Sequence, residues 1–157
     1  MLANLPVLSV SLLDYLDTDH IISVRQHGFV HGRSCLANLL ETLEKWTSAL
    51  DEDYGIDAIY LDYCKAFDTV PHKRLIIRLQ DYGINGKLLN WLTDFLTIRK
   101  MRVDINGSLS SWADIISGVP QGSVLEPILF LVFVNDIPDW MINSIRLFAD
   151  DTKIWKR

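Results

Sequence analysis

The chain has little cysteine and no long hydrophobic run. Its 157 residues include only Cys35 and Cys64, which are too few for a disulfide framework and lack metal-binding spacing. This predicts a reducing, intracellular compartment, with nucleus and cytoplasm both open. No apolar stretch approaches the roughly 18 residues of a membrane span, so no membrane partner is expected. No Lys or Arg precedes Arg25, which argues against a secretory signal.

An overall positive charge is also lacking, since the net charge is −5. Taken globally, this argues against a nucleic-acid partner. However, residues 1–61 contain three Lys/Arg and nine Asp/Glu (net −6), whereas residues 62–157 contain twelve and eleven (net +1). Between Lys65 and Arg102, eight basic residues accompany three aspartates, for a net charge of +5. A surface that binds a phosphate backbone is therefore permitted in this segment.

The hydrophobic pattern predicts helices interspersed with strands. Ser34 is a good N-cap for a helix that runs to about Leu50, and an apolar stripe predicts the core face of that helix. The stripe consists of Leu36, Leu39, Leu40, Leu43, Trp46 and Leu50. Residues 5–24 contain a weak helical stripe followed by a polar break, and helices are predicted over residues 71–82 and about 87–96. A further helix is predicted to begin near Ser123 and is apolar on every side over residues 128–134. Asn106-Gly107 predicts a β-hairpin.

Two predicted strand segments have acidic residues at their ends. Residues 56–61 are typical of a strand in the middle of a sheet, and this strand ends on Asp62. Residues 145–155 predict two short strands joined by a tight turn, with Asp150 and Asp151 at its tip. If strand and hairpin are neighbours in one antiparallel sheet, the three aspartates converge on one edge of it.

Three carboxylates at one sheet edge predict a site for divalent cations, because like charges buried without cations are costly. Hard oxygen ligands that leave positions open for substrate phosphates suit Mg²⁺. Two such ions, about 3.5–4 Å apart, can activate an attacking oxygen and neutralise a leaving pyrophosphate. For each aspartate alone, a solvated turn residue or strand end is the alternative.

The glycine-punctuated loop over residues 26–33 contains further candidate residues. His27 and His31 are four positions apart, but Gly28 and Gly32 argue against a helix there and therefore against a metal-binding histidine pair. Arg33 precedes the helix that Ser34 caps. A phosphate contact and a plain surface role are both open for its guanidinium group.

Three segments together carry a family resemblance. AIYLDYCKAFDTV (58–70), SGVPQGSVL (117–125) and LFADD (147–151) occur in that order. They resemble the palm motifs of reverse transcriptases from non-LTR, LINE-type (jockey-like) retrotransposons, and residues 26–29 and 32–35 resemble the upstream fingers motif. The resemblance covers about residues 15–157. It implies an α+β, palm-and-fingers polymerase fold with a small antiparallel sheet backed by helices, fingers-like over about 1–55 and mostly palm over 56–157.

The resemblance implies RNA-directed DNA synthesis by nucleotidyl transfer, in which a primer 3′-OH attacks the α-phosphate of a dNTP and releases pyrophosphate. An RNA template, a DNA primer and dNTP are the implied partners, and two Mg²⁺ ions, or Mn²⁺ in their place, are the implied cofactors. By motif position, Asp62, Asp150 and Asp151 are the catalytic acids that hold the ions. The main-chain carbonyl of Tyr63 would complete a coordination shell. The oligomeric state is not indicated.

The resemblance also implies contacts to the nucleotide. The main-chain N–H groups of Lys65 and Ala66 would meet the triphosphate, since oriented amides can cradle phosphate groups. Phe67 matches the steric gate that rejects a ribose 2′-OH, with an ordinary core residue as the alternative. Its bulk disfavours the further alternative, an RNA polymerase with a similar palm. Gln121 and Gly122 match the loop that contacts the nascent base pair, and a plain turn is the alternative.

The sequence departs from the family pattern at three places. Glu126 replaces the usual Gly, although its spacing from Ser123 fits a capping box. Val30 replaces the usual Arg, which shifts the implied triphosphate contact to Arg33. The chain ends six residues after Asp151, so the family's thumb is expected to be absent. A catalytically inactive fragment that at most binds nucleic acid or a partner is therefore the alternative function.

Overall fold

The computed structural model describes residues 5–157, and this part of the chain contains five α-helices and seven short β-strands. The predicted α+β class is confirmed. The elements are α1 (Leu5–Thr18), α2 (Cys35–Asp51), β1 (Asp57–Leu61), α3 (His72–Asp81), α4 (Gly86–Thr97), β2 (Lys100–Met101), β3 (Asp104–Ile105), β4 (Ser108–Leu109), β5 (Ala113–Asp114), α5 (Glu126–Val134), β6 (Ser144–Phe148) and β7 (Asp151–Lys156), with a 3-10 turn at Ile137–Trp140. Among these helices, none combines the length and apolar character that a bilayer crossing requires.

The chain divides into two compact units. The first contains the described residues up to Ala66 together with Val134–Arg157, and the second contains Phe67–Phe133. Helices α1 and α2 and the sheet of β1, β7 and β6 belong to the first unit. Helices α3 and α4, most of α5 and two short β-ribbons belong to the second. The predicted boundary between fingers and palm, near residue 55, does not coincide with the boundaries of these two units and stays a prediction.

The sheet of the first unit is antiparallel, with β7 between β1 and β6. Strand β1 is therefore an edge strand in the described part of the chain, and the prediction that it lies mid-sheet is wrong. Ile59 and Tyr60 are 58% and 66% exposed. An apolar run alone does not distinguish an edge strand from a central one, because the number of pairing partners is decided elsewhere in the chain.

Helix α2 begins as predicted, but it buries a different face. Ser34 is the N-cap, and its side chain accepts a hydrogen bond from the Ala37 N–H at 3.1 Å. The buried residues of the helix are Asn38, Thr42 and Ala49. The predicted core face is wrong for its five leucines, which are 46–65% exposed, whereas Trp46 of the same stripe is half-buried and packs against Trp155. Small and polar residues line the buried side, where the side-chain amide of Asn38 donates to the Leu147 carbonyl of β6 at 3.0 Å.

The second unit follows its sequence pattern closely. Helix α5 is buried along most of its length, as its uniformly apolar sequence predicts. The hairpin of β3 and β4 turns at Asn106 and Gly107, which both adopt positive φ (51° and 84°), as a tight two-residue turn requires. The fully buried leucines of this unit are Leu75, Leu79, Leu92, Leu96, Leu125, Leu129 and Leu131.

Candidate active site

The acidic hairpin forms as predicted, but its turn has only two residues, and Asp151 begins β7 instead of lying at the tip. Strands β6 and β7 pair antiparallel up to Phe148 and Asp151, so Ala149 and Asp150 make the turn between them. Ala149 is 5% exposed and has a φ of 55°, in the left-handed region that residues with a side chain rarely adopt. Asp150 is half-buried, and Asp151 is exposed.

Strand β1 places Asp62 beside this hairpin. Leu61 pairs with Thr152, so the next position along the register sets Asp62 opposite Asp151. Both aspartates line a cavity of about 360 Å³, which Lys153 also lines. Burial lowers the pKa of the Lys153 ammonium, while the charge of Asp151 opposes that shift. The predicted antiparallel pairing of strand and hairpin is confirmed, and the catalytic role of the aspartates stays a prediction.

The aspartates at this edge of the sheet are suitable metal ligands by type, but their side chains are not arranged as a metal site. Within residues 5–157, no three His, Cys, Asp or Glu side chains lie together closely enough to hold a metal ion. Carboxylate oxygens nevertheless fit Mg²⁺ by type, and a magnesium ion needs only one or two of them besides waters and substrate phosphates. His27 and His31 do not form a second site, because His27 is buried against Glu41, with 3.3 Å between Nε2 and Oε1, and His31 is exposed.

The loop after Asp62 contains three of the predicted contacts. Lys65 adopts a φ of 50°, and the N–H of Ala66 donates to the carbonyl of Tyr63 at 3.2 Å. That carbonyl, the predicted metal ligand, retains a second lone pair. Elsewhere in this unit, Arg33 donates through Nη1 to the carbonyls of Ser23 and Gln26. The nucleotide contacts of these residues stay predictions.

The remaining predicted contacts belong to the second unit. Phe67 is half-buried and stacks on Phe130, with 4.2 Å between ring centroids, so it has the packing of a core residue whether or not it also acts as a gate. Gln121 and Gly122 are exposed. The Gly122 N–H donates to the carboxylate of Glu126, whose own N–H donates to the Ser123 hydroxyl at 3.1 Å. A capping box predicts that the Glu126 carboxylate accepts from the N–H of Ser123. Here it accepts from the N–H of Gly122, one residue earlier.

Two polar residues that contact the hairpin were not predicted from the sequence. The side-chain oxygen of Gln26 accepts hydrogen bonds from the N–H groups of Gly28 at 2.8 Å and Ala149 at 2.9 Å. Asn38 donates to Leu147, as described above. Local sequence does not give the partner of either residue, because the partners are 123 and 109 positions away. The signals that the sequence did contain were the motif-like segment 26–29, which includes Gln26, and the polar residues of α2, which include Asn38.

Comparisons with known proteins agree on one family. A family model described as reverse transcriptase (RNA-dependent DNA polymerase) matches residues 7–156. The chain is 26% identical over 156 residues to the probable RNA-directed DNA polymerase from transposon X-element of Drosophila melanogaster, covering 96% of this chain and 17% of that protein. It is 33% identical over 138 residues to the RNA-directed DNA polymerase from mobile element jockey of the same fly, covering 82% and 14%.

A solved structure shares the fold. A telomerase of Candida tropicalis, truncated from its C-terminal domain, superposes with a TM-score of 0.70 over 99% of this chain and 34% of that chain, at 12% sequence identity. The chain spans 14–17% of the length of the curated fly relatives. The predicted polymerase fold is confirmed, and the chain belongs to the reverse transcriptase (RNA-dependent DNA polymerase) family.

Proposed function

We propose that this chain is the fingers-and-palm part of a retrotransposon reverse transcriptase, which transfers a nucleotide from a dNTP to a primer 3′-OH on an RNA template. One observation supports the proposal: β1 and β7 pair up to Leu61 and Thr152, and the residues that adjoin this last pair, Asp62 and Asp151, line one cavity, with Asp150 in the adjoining turn. The relatives named RNA-directed DNA polymerase supply the reaction class. Nucleic acid and nucleotide are then the substrates, inside the cell, in nucleus or cytoplasm.

The three aspartates would hold two Mg²⁺ ions, or Mn²⁺ in their place, with the Tyr63 carbonyl as a further ligand. Bound ions would supply activation of the 3′-OH and neutralisation of the leaving pyrophosphate. Three carboxylates on one sheet edge repel each other, so cations would favour their convergence. The exposure of Asp62 and Asp151 leaves room for waters and substrate phosphates, which magnesium retains as ligands.

The chain's other predicted residues would bind and orient the nucleotide. The main-chain N–H groups of Lys65 and Ala66 would meet the triphosphate, and the Ala66 N–H would then exchange its hydrogen bond to the Tyr63 carbonyl for one to phosphate. Arg33 offers a guanidinium group for phosphate. Phe67 would exclude the ribose 2′-OH by its bulk. In the exposed loop of the second unit, Gln121 and Gly122 would contact the nascent base pair.

Primer extension tests the proposal. The purified chain is incubated with an oligo(dT) primer on poly(rA), dTTP and Mg²⁺ or Mn²⁺. We expect Asp150→Asn to lower the rate by roughly 100-fold or more, because it removes a charged metal ligand. Asp94→Asn, which changes an exposed acid of α4, is the matched control and should extend primers like wild type.

Mn²⁺ binding, measured by electron paramagnetic resonance, distinguishes an active polymerase from an inactive fragment. Tight binding by wild type that Asp150→Asn weakens supports the metal site even if extension is slow. Binding of Mn²⁺ and nucleic acid without any extension would favour an inactive derived fragment. The structural feature that supports this alternative is the hydrogen bond from the Gly122 N–H, in the Gln121 loop, to the Glu126 carboxylate. Identical Mn²⁺ isotherms for wild type and Asp150→Asn would remove the site.

A further inference from the structure

We infer that Gln26 is a positioning residue for the acidic turn: its carboxamide fixes the backbone of Ala149 and thereby the direction of the Asp150 carboxylate. This inference rests on the proposed function, because it concerns the same acids. Gln26 is 3% exposed and lies outside the residues assigned to metal or nucleotide.

The turn needs such a partner because of its backbone. Ala149 adopts a left-handed φ without being glycine, and its N–H is buried away from water. A buried N–H group requires an acceptor. The Gln26 Oε1 atom supplies it at 2.9 Å, and the same atom accepts the Gly28 N–H at 2.8 Å. The Gln26 Nε2 atom lies 3.5 Å from the Ala149 carbonyl oxygen, so the carboxamide contacts both the main-chain N–H and the carbonyl group of Ala149.

The backbone that carries this carboxamide is itself held in place. Gln26 forms a parallel β-bridge with Leu147, and the neighbouring N–H of His27 donates to the Leu147 carbonyl at 2.9 Å. On its other side, Gly28 packs so closely that a Cβ atom there would lie 2.3 Å from the Ala149 nitrogen. The loop is therefore held at a short, fixed distance from the turn, and the Gln26 side chain reaches Ala149 from a backbone that is itself anchored to β6.

The consequence concerns Asp150, which directly follows Ala149. Metal ligands must be held to within about 0.5 Å of their working positions, and groups that orient them typically change metal affinity 10- to 100-fold. Without the Oε1 acceptor, the strained φ of Ala149 would relax and the Asp150 carboxylate would move. Gln26 would thus act on the ions through the turn, without touching them.

Two substitutions at this position test the inference. Gln26→Met removes the acceptor at nearly constant size, and Gln26→Glu keeps an Oε1 acceptor while losing the weaker Nε2 donor. Gln80→Met, on the exposed side of α3, is the matched control. The readouts are hydrogen exchange of the Ala149 amide by NMR and the affinity for Mn²⁺ alone.

We expect Gln26→Met to expose the Ala149 amide to exchange and to weaken Mn²⁺ binding about 10-fold. Gln26→Glu should keep the amide protected and bind Mn²⁺ no more weakly than wild type, and Gln80→Met should match wild type. Wild-type Mn²⁺ affinity in Gln26→Met, with weakened binding in Asp150→Asn, would overturn the positioning role alone.

Failure of wild type to bind Mn²⁺ would remove the proposed metal site, and the inference with it. If Gln26→Met does not fold, Gln26→Glu decides: a protected Ala149 amide with undiminished Mn²⁺ affinity supports the role, and loss of either contradicts it.

Discussion

At residue 28, the absence of a Cβ atom lets the loop lie close against the backbone of the hairpin turn. Because the clash of an added Cβ would be with backbone atoms of Phe148 and Ala149, a rotamer change cannot relieve it. We expect Gly28→Ala to destabilise the fold by about 2–3 kcal/mol. Gly55→Ala, where a Cβ would meet nothing within 4 Å, should change stability by less than about 0.5 kcal/mol. Urea unfolding of both variants measures the difference, and equal midpoints would contradict the close approach.

An ion pair beside the sheet makes stability depend on pH. Burial alone would raise the pKa of Glu41, but hydrogen bonds from Arg146 (2.9 Å) and His27, with their charges, hold the pKa below its ordinary 4.5. A lowered folded-state pKa stabilises the fold above the unfolded pKa, and this stabilisation is lost as pH falls through the folded value. Because the Glu41 side chain is 45% exposed, the contribution stays below about 1 kcal/mol.

Glu41→Gln should therefore destabilise the chain slightly at about pH 7, and the difference from wild type should shrink steadily below about pH 4.5. Chemical unfolding at a series of pH values measures it. Glu44→Gln, an exposed neighbour on the same helix, is the control and should show no such trend. A difference that grows on acidification would be inconsistent with the lowered pKa.

At the scale of elements, burial separates two helices whose leucines look alike in sequence. Leu40 of α2 is 57% exposed, whereas Leu129 of α5 is fully buried. Leu129→Ala should cost about 2–5 kcal/mol through the cavity that it leaves. Leu40→Ala should cost less than about 0.5 kcal/mol, since this side chain is mostly exposed to solvent. Thermal unfolding compares them, and a large loss at Leu40 would mean that this face is covered.

At the scale of the whole molecule, the uneven charge distribution predicts where nucleic acid binds. The segment from Lys65 to Arg102 carries a net charge of +5 in a chain of −5. Binding of a labelled RNA–DNA hybrid should therefore weaken with salt, and the double change Lys73→Gln, Lys87→Gln should reduce the slope of log K against log salt by roughly 1–2. Lys45→Gln, in the acidic N-terminal part, is the control. An unchanged slope in the double variant would place the contact elsewhere.

The sequence by itself determined the elements and the family. Helix starts at Ser34 and Pro71, the turn at Asn106-Gly107 and the acidic hairpin all follow from local chemistry, since caps, turns and alternating strands depend on residues a few positions apart. The order of the three palm motifs was enough to name the polymerase family, and the family model supports it.

Only the tertiary structure decided what those elements face. It made β1 an edge strand, turned the leucines of α2 outward, and brought Gln26 to Ala149 across 123 positions. Periodicity reports that a face is apolar but not whether anything packs against it, and a hydrogen bond between distant residues leaves no local pattern. The register that sets Asp62 opposite Asp151 is of the same kind: each acid was visible in the sequence, and their proximity came from strand pairing.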